Sequence, residues 1–312
     1  MLCALMMVGC GGRGNSKANA FQPHHFPSMP EPPAVITEPK EATEYVLSNY
    51  WNEFLAKAYP CDSGIVNGVP ADEVEKAFGT YVTLLERGCG IDFGRKAMAG
   101  FFDKVEKFEA ADTSTNVFEF FEEMVPKYFY DPNSPVRNED LYLPYVSRLA
   151  VSDYVDPDME PAYDHDAQMC SLNMIGSPAA DFTFTDLGGK RHTLYGVKAE
   201  TTLLFFTNPC CPSCKEIIES LTSDGKIADL VASGRLAVVN VYIDEELDKW
   251  RENASVYPKN WYNGYDQSYI IRSDVTYNVR AIPSLYVLDS EKKVIMKDAP
   301  VENVLPYLDN LK

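Results

Sequence analysis

Apolar residues between positions 41 and 174 recur at the three- and four-residue spacing of amphipathic helices. One stripe follows Pro70-Ala71-Asp72 and consists of Val74, Ala77, Phe78, Tyr81, Val82 and Leu85. Further helices are predicted at about 91–111, 116–129, 139–152 and 159–172, the third of them capped by Asn138. Because no alternating apolar pattern interrupts these segments, we predict an all-α domain over 41–174.

From residue 175 the pattern becomes that of strands and intervening helices. A hairpin is predicted at 181–194 around Asp186-Leu187-Gly188-Gly189, followed by a fully apolar strand at 201–207 and a helix at 215–221. Next come a strand at 236–243, a helical insert rich in aromatic residues, strands at 284–289 and 293–297, and a terminal helix at 301–311. This order predicts an α/β domain with one mixed central sheet over 175–312, so the chain is an α+β protein of two domains. The aromatic residues of the insert are expected in the core: Trp250, Trp261, Tyr262 and Tyr265.

The N-terminal residues have the pattern of an export signal. Residues 1–8 are almost wholly apolar and are followed by Gly9-Cys10, which resembles the end of a bacterial lipoprotein signal. We therefore expect 1–20 to hold a truncated signal and the start of a tether, with Cys10 as the lipidated residue. Six prolines between 13 and 40 predict an extended tether over 21–40, in which His24 and His25 are solvated. The expected location is the periplasm, with the lipid as the only attachment to a membrane.

The charge of the chain is uneven. Its formal net charge of −18 lacks the basic footprint that phosphate backbones require, so nucleic acid is not expected as a partner. Residues 41–170 contain 25 acidic and 10 basic residues, whereas residues 171–312 contain 19 and 15. The acidity therefore belongs to the helical domain, as a solvated surface or as a docking face for a basic partner.

The chemistry of the chain is concentrated in Cys211-Pro212-Ser213-Cys214, which follows a buried strand and opens a helix. Backbone N–H groups at a helix N-terminus favour a thiolate, so Cys211 is the candidate nucleophile. Cys214 lies one turn later and can attack a mixed disulfide on Cys211, which makes it the candidate resolving thiol. No metal site is expected, because the chain has no second Cys pair and all of its histidines precede Cys214.

Two runs of residues carry a family resemblance. LLFFTNPCCPSCK at 203–215 and AIPSLYVLD at 281–289 resemble the thioredoxin fold in its exported TlpA-like branch. YDPNSPVRNEDLY at 130–142 resembles part of the uncharacterised helical domain, DUF5106, that precedes such modules in lipoproteins of anaerobic Gram-negative bacteria. The second resemblance implies an architecture and no activity.

The thioredoxin resemblance implies a thiol–disulfide oxidoreductase that acts on protein disulfides, as a reductant. It assigns catalytic roles to Cys211, Cys214 and Pro283, with a cis Ile282–Pro283 peptide beside the dithiol. Substrate contacts are expected from Ile282, Pro212 and Ser213. No cofactor is implied beyond a redox-active disulfide between Cys211 and Cys214. The implied partners are exported proteins with cysteines or disulfides and an upstream thiol donor.

The sequence departs from that family at several positions. Cys210 replaces the usual aromatic residue, so it is a candidate auxiliary thiol and could pair with either neighbour. Phe205 replaces the buried acid that usually accepts the proton of the resolving thiol, and Glu216 and Glu219 do not occupy the position of the TlpA-like glutamate. Elsewhere, Cys170 is expected to be a buried free thiol. Cys61 and Cys89 are either bridged or free.

Two alternative functions remain at this stage. The thioredoxin fold could be a non-catalytic scaffold whose acidic helical domain recruits a partner. The spacing Thr207-x-x-Cys210 is also that of a peroxiredoxin-type peroxidase, although that motif places a proline where this chain has Leu203.

Overall fold

The computed structural model describes residues 21–311, which form a helical domain followed by an α/β domain. The helical domain confirms the helices predicted from apolar spacing, with ends within a few residues of the expected ones. Asn138 caps one of them as predicted, since its Oδ1 accepts a hydrogen bond from the Leu141 N–H at 3.1 Å. The helices are α1 Pro39–Asn49, α2 Ala71–Gly88, α3 Ile91–Ala111, α4 Val117–Phe129, α5 Glu139–Leu149 and α6 Glu160–Ser171.

One small hairpin interrupts the helices and corrects the prediction of an uninterrupted all-α segment. Strands β1 Ile65–Val66 and β2 Val69–Pro70 pair antiparallel across Asn67-Gly68, both of which have positive φ. Asn-Gly is a strong signal for this turn, because both residues tolerate left-handed backbone. The Asn67 side chain is buried and holds the loop before it, accepting from the Tyr59 N–H at 2.7 Å.

Aromatic side chains fill the core of the helical domain. Trp51 is 1 % exposed and its ring packs against the rings of Phe101 and Phe121 with centroids 4.9 and 5.1 Å away. Phe26 stacks on the same cluster, and the Phe26 N–H donates to Glu73 at 3.1 Å. Part of the segment expected to be a free tether therefore lies against the helical domain.

The α/β domain is built on a mixed sheet of seven strands in the order β4-β3-β7-β6-β5-β8-β9. Parallel pairing joins β5 to β6 and β6 to β7, and antiparallel pairing joins the remaining neighbours. Every residue of β5 and β6 is buried, which explains why these strands are apolar throughout. The strands are β3 Thr183–Asp186, β4 Arg191–Thr193, β5 Thr201–Thr207, β6 Leu236–Tyr242, β7 Tyr262–Tyr265, β8 Ser284–Leu288 and β9 Val294–Met296.

The insert after β6 contains a strand that the helical prediction missed. Strand β7 joins β6 to the N-terminal hairpin, because Gly264 lets Thr185 of β3 approach closely: a Cβ on Gly264 would lie 2.8 Å from the Thr185 carbonyl oxygen. Trp250, Trp261 and Tyr265 are buried as expected, whereas Tyr262 is 38 % exposed. The helices of this domain are α7 Pro212–Ser223, α8 Gly225–Ala232, α9 Leu247–Asn253, α10 Ile270–Ser273 and α11 Val301–Asp309.

Buried ion pairs join the two domains. Glu139, at the start of α5, is 1 % exposed and lies between Lys297 Nζ at 2.8 Å and Arg280 Nε at 3.0 Å. Arg280 Nη2 also pairs with Asp298 Oδ2 at 3.1 Å, and Asp298 Oδ1 accepts from the Ser284 hydroxyl at 2.7 Å. The helical domain is thus linked by charge to the residues on both sides of Pro283.

None of the helices in residues 21–311 is long and apolar enough to span a membrane. Cys10 and the expected lipoprotein signal lie outside the described residues.

Candidate functional site

The dithiol motif lies where β5 meets α7. Cys211 is the N-cap of α7, and its Sγ accepts a hydrogen bond from the Cys214 N–H at 3.2 Å. Pro212 occupies the first position of the helix, where its missing N–H costs nothing. The helix N-terminus therefore places a backbone N–H group against the sulfur that the sequence assigns as the nucleophile. Cys211 is half-buried and Ser213 is exposed, so this end of the motif is open to a substrate.

The second predicted element of the site lies beside the first. The Ile282–Pro283 peptide is cis, and Cys211 Sγ lies 4.0 Å from the Ile282 carbonyl oxygen. Arg280, Ala281 and Ile282 precede β8 and are not part of a strand. The fold therefore brings together the residues that the sequence singled out from two distant segments.

Cys214 has a different environment from Cys211. It is fully buried in a cluster that contains Phe205, and burial raises the pKa of its thiol well above the ordinary value, with a further contribution from Cys211. Cys214 is therefore a protonated thiol at neutral pH. This pairing of an accessible thiol with a protected one suits nucleophile and resolving roles.

Sequence reasoning missed a carboxylate at this edge of the sheet. Asp244 follows β6, and its charge contributes to the raised pKa of Cys214. Asp244 Oδ2 accepts from Asn208 Nδ2 at 2.9 Å, and Asn208 follows β5. Because β5 and β6 are parallel, their carboxyl ends meet at one edge of the sheet, and this arrangement could have pointed to Asp244. Glu216 and Glu219 are both exposed on α7.

A buried set of hydroxyl and amide groups lies next to Cys214. Thr207 Oγ1 is 2.5 Å from Asn240 Oδ1 and 2.9 Å from the Tyr257 hydroxyl. Burial raises the pKa of Tyr257 well above its ordinary value. Tyr257 therefore stays protonated and serves as a hydrogen-bond donor near the resolving thiol.

All six cysteines in residues 21–311 are free thiols. Cys210 is exposed, and its N–H donates to Asn208 Oδ1 at 2.9 Å. Cys170 is buried, and burial raises its pKa. Cys61 Sγ lies 3.6 Å from the Ser114 carbonyl and Cys89 Sγ lies 3.3 Å from the Leu85 carbonyl, so these two thiols are not bridged.

A groove of about 530 Å³ adjoins the site on the cis-proline side. One wall is α7 and the loop before β8, which contribute Ser213, Glu216 and Ile282. The opposite wall comes from the helical domain, where the loop between α4 and α5 contributes Pro132 and Asn133. Within residues 21–311 no group of three or more His, Cys, Asp or Glu side chains could hold a metal ion.

Fold and site together define a thioredoxin-like protein with an accessory helical domain. The model of the domain of unknown function DUF5106 matches residues 12–173, and a thioredoxin-like model matches residues 199–294. None of the curated proteins compared with the chain matches it.

Several solved structures are similar to the chain or to part of it. A thioredoxin-like protein from Bacteroides caccae is 32 % identical, with a TM-score of 0.76 over 90 % of this chain and 97 % of that one. The C-terminal domain of an uncharacterized protein from Bacteroides fragilis is 43 % identical over 44 % of this chain and 97 % of its own, with a TM-score of 0.42. The thioredoxin domain of a thiol-disulfide oxidoreductase from Bacteroides vulgatus is 21 % identical over 44 % of this chain and 99 % of its own, with a TM-score of 0.38.

The chain belongs to the family of proteins with a DUF5106 domain, and within it to those that carry a thioredoxin-like domain of the TlpA-like kind. The Bacteroides caccae protein shares both domains in one chain, since the match covers nearly all of both proteins.

Proposed function

We propose that this chain is an exported thiol–disulfide oxidoreductase that reduces protein disulfides through Cys211 and Cys214. The observation that carries the proposal is the position of Cys211 Sγ, which accepts the Cys214 N–H at 3.2 Å and lies 4.0 Å from the Ile282 carbonyl. A half-buried thiol at a helix N-terminus, beside an unpaired stretch of backbone, suits attack on a disulfide in an extended chain.

The reaction has two exchange steps. The Cys211 thiolate attacks one sulfur of the substrate disulfide, and the other sulfur leaves as a thiolate that takes a proton from solvent. Cys214 then loses its proton and attacks Cys211 Sγ, which releases the second substrate thiol and leaves a Cys211–Cys214 disulfide. Two electrons pass to the substrate. An upstream thiol donor returns the enzyme to its dithiol form.

The proton of Cys214 needs a route out of the core in the second step. Because Phe205 replaces the usual acid, the proton passes to solvent or to a polar group at this end of the sheet. Two such groups are the Tyr257 hydroxyl, hydrogen-bonded to Thr207, and the Asp244 carboxylate, hydrogen-bonded to Asn208. The reductive direction of the reaction rests on the resemblance to the TlpA-like branch. No cofactor beyond the redox-active disulfide enters the proposal.

The proposed location is the periplasmic side of the cell envelope, with a lipid on Cys10. The sequence around Gly9-Cys10 supports this part of the proposal. Fractionation of cells that produce the chain tests it: the protein should partition with membranes, and Cys10→Ser should release it. A wild-type protein found in the cytoplasm would contradict the proposal.

The activity is tested by following reduction of a protein disulfide by the purified chain in the presence of an excess of small dithiol. Reduction should be faster than with the dithiol alone, and Cys211→Ser should remove the difference. If the wild type and Cys211→Ser behave alike and bind the same proteins without covalent capture, the scaffold function replaces the enzyme. Peroxide consumption that survives Cys214→Ser would instead favour the peroxidase.

A further inference from the structure

The groove beside Pro283 is lined by both domains. Its thioredoxin wall holds Ile282 next to the Cys211 thiol, and its opposite wall is the helical-domain loop 131–137. A substrate segment that reaches Cys211 from this side therefore passes over residues of the DUF5106 domain. The exchange steps at Cys211 and Cys214 do not themselves require the DUF5106 domain.

Loop 131–137 is held in one shape by contacts within it and on both sides of it. Asp131 Oδ1 accepts the Asn133 N–H at 2.8 Å, and the Ser134 hydroxyl donates to the Tyr128 carbonyl at 2.5 Å. Arg137 Nε donates across the domain boundary to the Asp298 carbonyl at 2.9 Å. Pro132 and Pro135 restrict the backbone further. A surface fixed in this way loses little conformational entropy when it binds a partner.

The cis-proline loop offers backbone groups to the same groove. Residues 280–282 lie outside the strands, and the N–H groups of Ala281 and Ile282 have no hydrogen-bond partner among residues 21–311. Unpaired backbone beside a sheet binds an extended chain by main-chain hydrogen bonds. This observation favours an extended polypeptide over a small ligand as the occupant.

The charge of the groove indicates which polypeptides fit. Glu216 on α7 and Glu302 on α11 both line it, both are exposed, and neither forms an ion pair with another described residue. The cation in the lining is Arg137, which is engaged by the Asp298 and Ser134 carbonyls and by the Asp298 carboxylate. Unpaired carboxylates therefore set the local charge, which is complementary to Lys or Arg.

We propose that loop 131–137 and the cis-proline side of the thioredoxin domain form one polypeptide-binding groove, which selects substrates with a basic residue close to the target cysteine. This inference rests on the proposed exchange at Cys211 and adds a substrate-contacting role for the helical domain.

Covalent capture followed by cross-linking tests the helical wall. The double variant Cys210→Ser with Cys214→Ser has no second thiol to resolve a mixed disulfide on Cys211. It is given a peptide whose single cysteine is disulfide-bonded to thionitrobenzoate. Cys211 attacks the peptide sulfur, thionitrobenzoate leaves as a thiolate, and the mixed disulfide with the peptide should accumulate. In that background p-benzoylphenylalanine replaces Asn133, an exposed residue of the groove, or Asp153, an exposed residue of the same domain outside it. Irradiation should cross-link the trapped peptide at position 133 and not at position 153.

Peptide kinetics test the charge preference. Two peptides with one internal disulfide differ only in whether two Lys or two Glu flank the attacked cysteine. We expect kcat/KM to favour the Lys peptide roughly fivefold, the size expected for one or two exposed ion pairs. The double variant Glu216→Gln with Glu302→Gln should bring the ratio of the two peptides close to one. Glu219→Gln is the matched control on the same helix and should keep the wild-type ratio.

The outcomes separate the two proposals. If no mixed disulfide forms with any peptide, the exchange at Cys211 fails and this inference fails with it. If the mixed disulfide forms but position 133 does not cross-link, the helical domain is not a wall of the substrate groove, while the exchange chemistry stands. A wild-type ratio of one between the peptides, or a ratio unchanged in the double variant, overturns the selection of basic substrates.

Discussion

The two domains differ in how they use charge. The helical domain has 25 acidic residues between 41 and 170, of which only Glu109, Glu139 and Asp140 are buried. Most of its acidity is therefore a solvated surface. The buried Glu139 forms ion pairs with Lys297 and Arg280 of the thioredoxin domain. Asp140 is buried beside it and accepts the Ile175 N–H at 3.2 Å, so two neighbouring carboxylates of the helical domain contact the other domain.

The cores of the two domains differ as well. The helical domain packs aromatic rings around Trp51, whereas the thioredoxin domain packs aliphatic and aromatic side chains against both faces of its sheet. The core of the helical domain holds its helices together, whereas the core of the thioredoxin domain also contains the resolving thiol Cys214. In the proposed function the helical domain contributes a wall of the groove, and its thiols take no part in the exchange.

The largest expected effect is on the rate of disulfide reduction, and it distinguishes the thiols of the two domains. Cys211→Ser should lower disulfide reduction to the uncatalysed level, because the hydroxyl is not ionised at neutral pH. Cys61→Ser, in the helical domain, should leave the rate unchanged. Initial rates with a protein disulfide check both variants. Full activity in Cys211→Ser would contradict the assignment of the nucleophile.

The next effect concerns the link between the domains. Glu139→Ala leaves the buried cations Lys297 and Arg280 without their shared anion, which should cost about 3–5 kcal/mol of folding free energy. Denaturant unfolding measures the loss. The control Glu123→Ala removes an exposed carboxylate of the same domain and should change stability by less than about 0.5 kcal/mol. Equal losses of unfolding free energy in the two variants would show that the buried ion pairs of Glu139 stabilise the fold no more than an exposed carboxylate does.

A third effect follows from the raised pKa of Cys214. Below that pKa the thiolate fraction rises about tenfold per pH unit, so release of substrate from the mixed disulfide should accelerate with pH. Stopped-flow measurement of the second step between pH 6 and 9 gives the slope. A rate independent of pH in this window would mean that Cys214 is already ionised.

The smallest expected effect is on the rate of the second exchange step and concerns the ionisation of Cys214. The Asp244 carboxylate contributes to the raised pKa of Cys214 as a like charge, so Asp244→Asn should lower that pKa. At fixed pH the second step should then become faster, by no more than a few fold, because Arg272 Nη2 pairs with Asp244 Oδ1 at 2.7 Å and offsets part of its charge. The same stopped-flow experiment measures it. A slower second step would instead identify Asp244 as the proton acceptor.

Apolar periodicity was sufficient to predict most of the fold. The strand predicted at 201–207 has those bounds, because a fully buried strand leaves an uninterrupted apolar run. Strand β7 was missed because Tyr262–Tyr265 is short, contains Gly264 and lies in a segment dominated by aromatic residues. The hairpin at Asn67-Gly68 was missed although its dipeptide is a strong local signal.

The site could be predicted in part. Cys211, Cys214 and Pro283 are marked by local motifs, and the fold brings these segments together. The groove wall from loop 131–137 could not be predicted, because it depends on how the two domains pack. The partners of Glu139 are also set by tertiary packing, since they lie more than a hundred residues away in sequence.

A redox titration of the purified chain tests the central claim most directly. The protein is equilibrated in buffers of defined thiol–disulfide ratio, alkylated, and mapped by mass spectrometry of its cysteine peptides. We expect one reversible two-electron transition in which Cys211 and Cys214 form a disulfide, while Cys210 stays a free thiol that is alkylated. A chain in which Cys211 and Cys214 never pair at any ratio, or in which Cys210 takes the place of either, would contradict it.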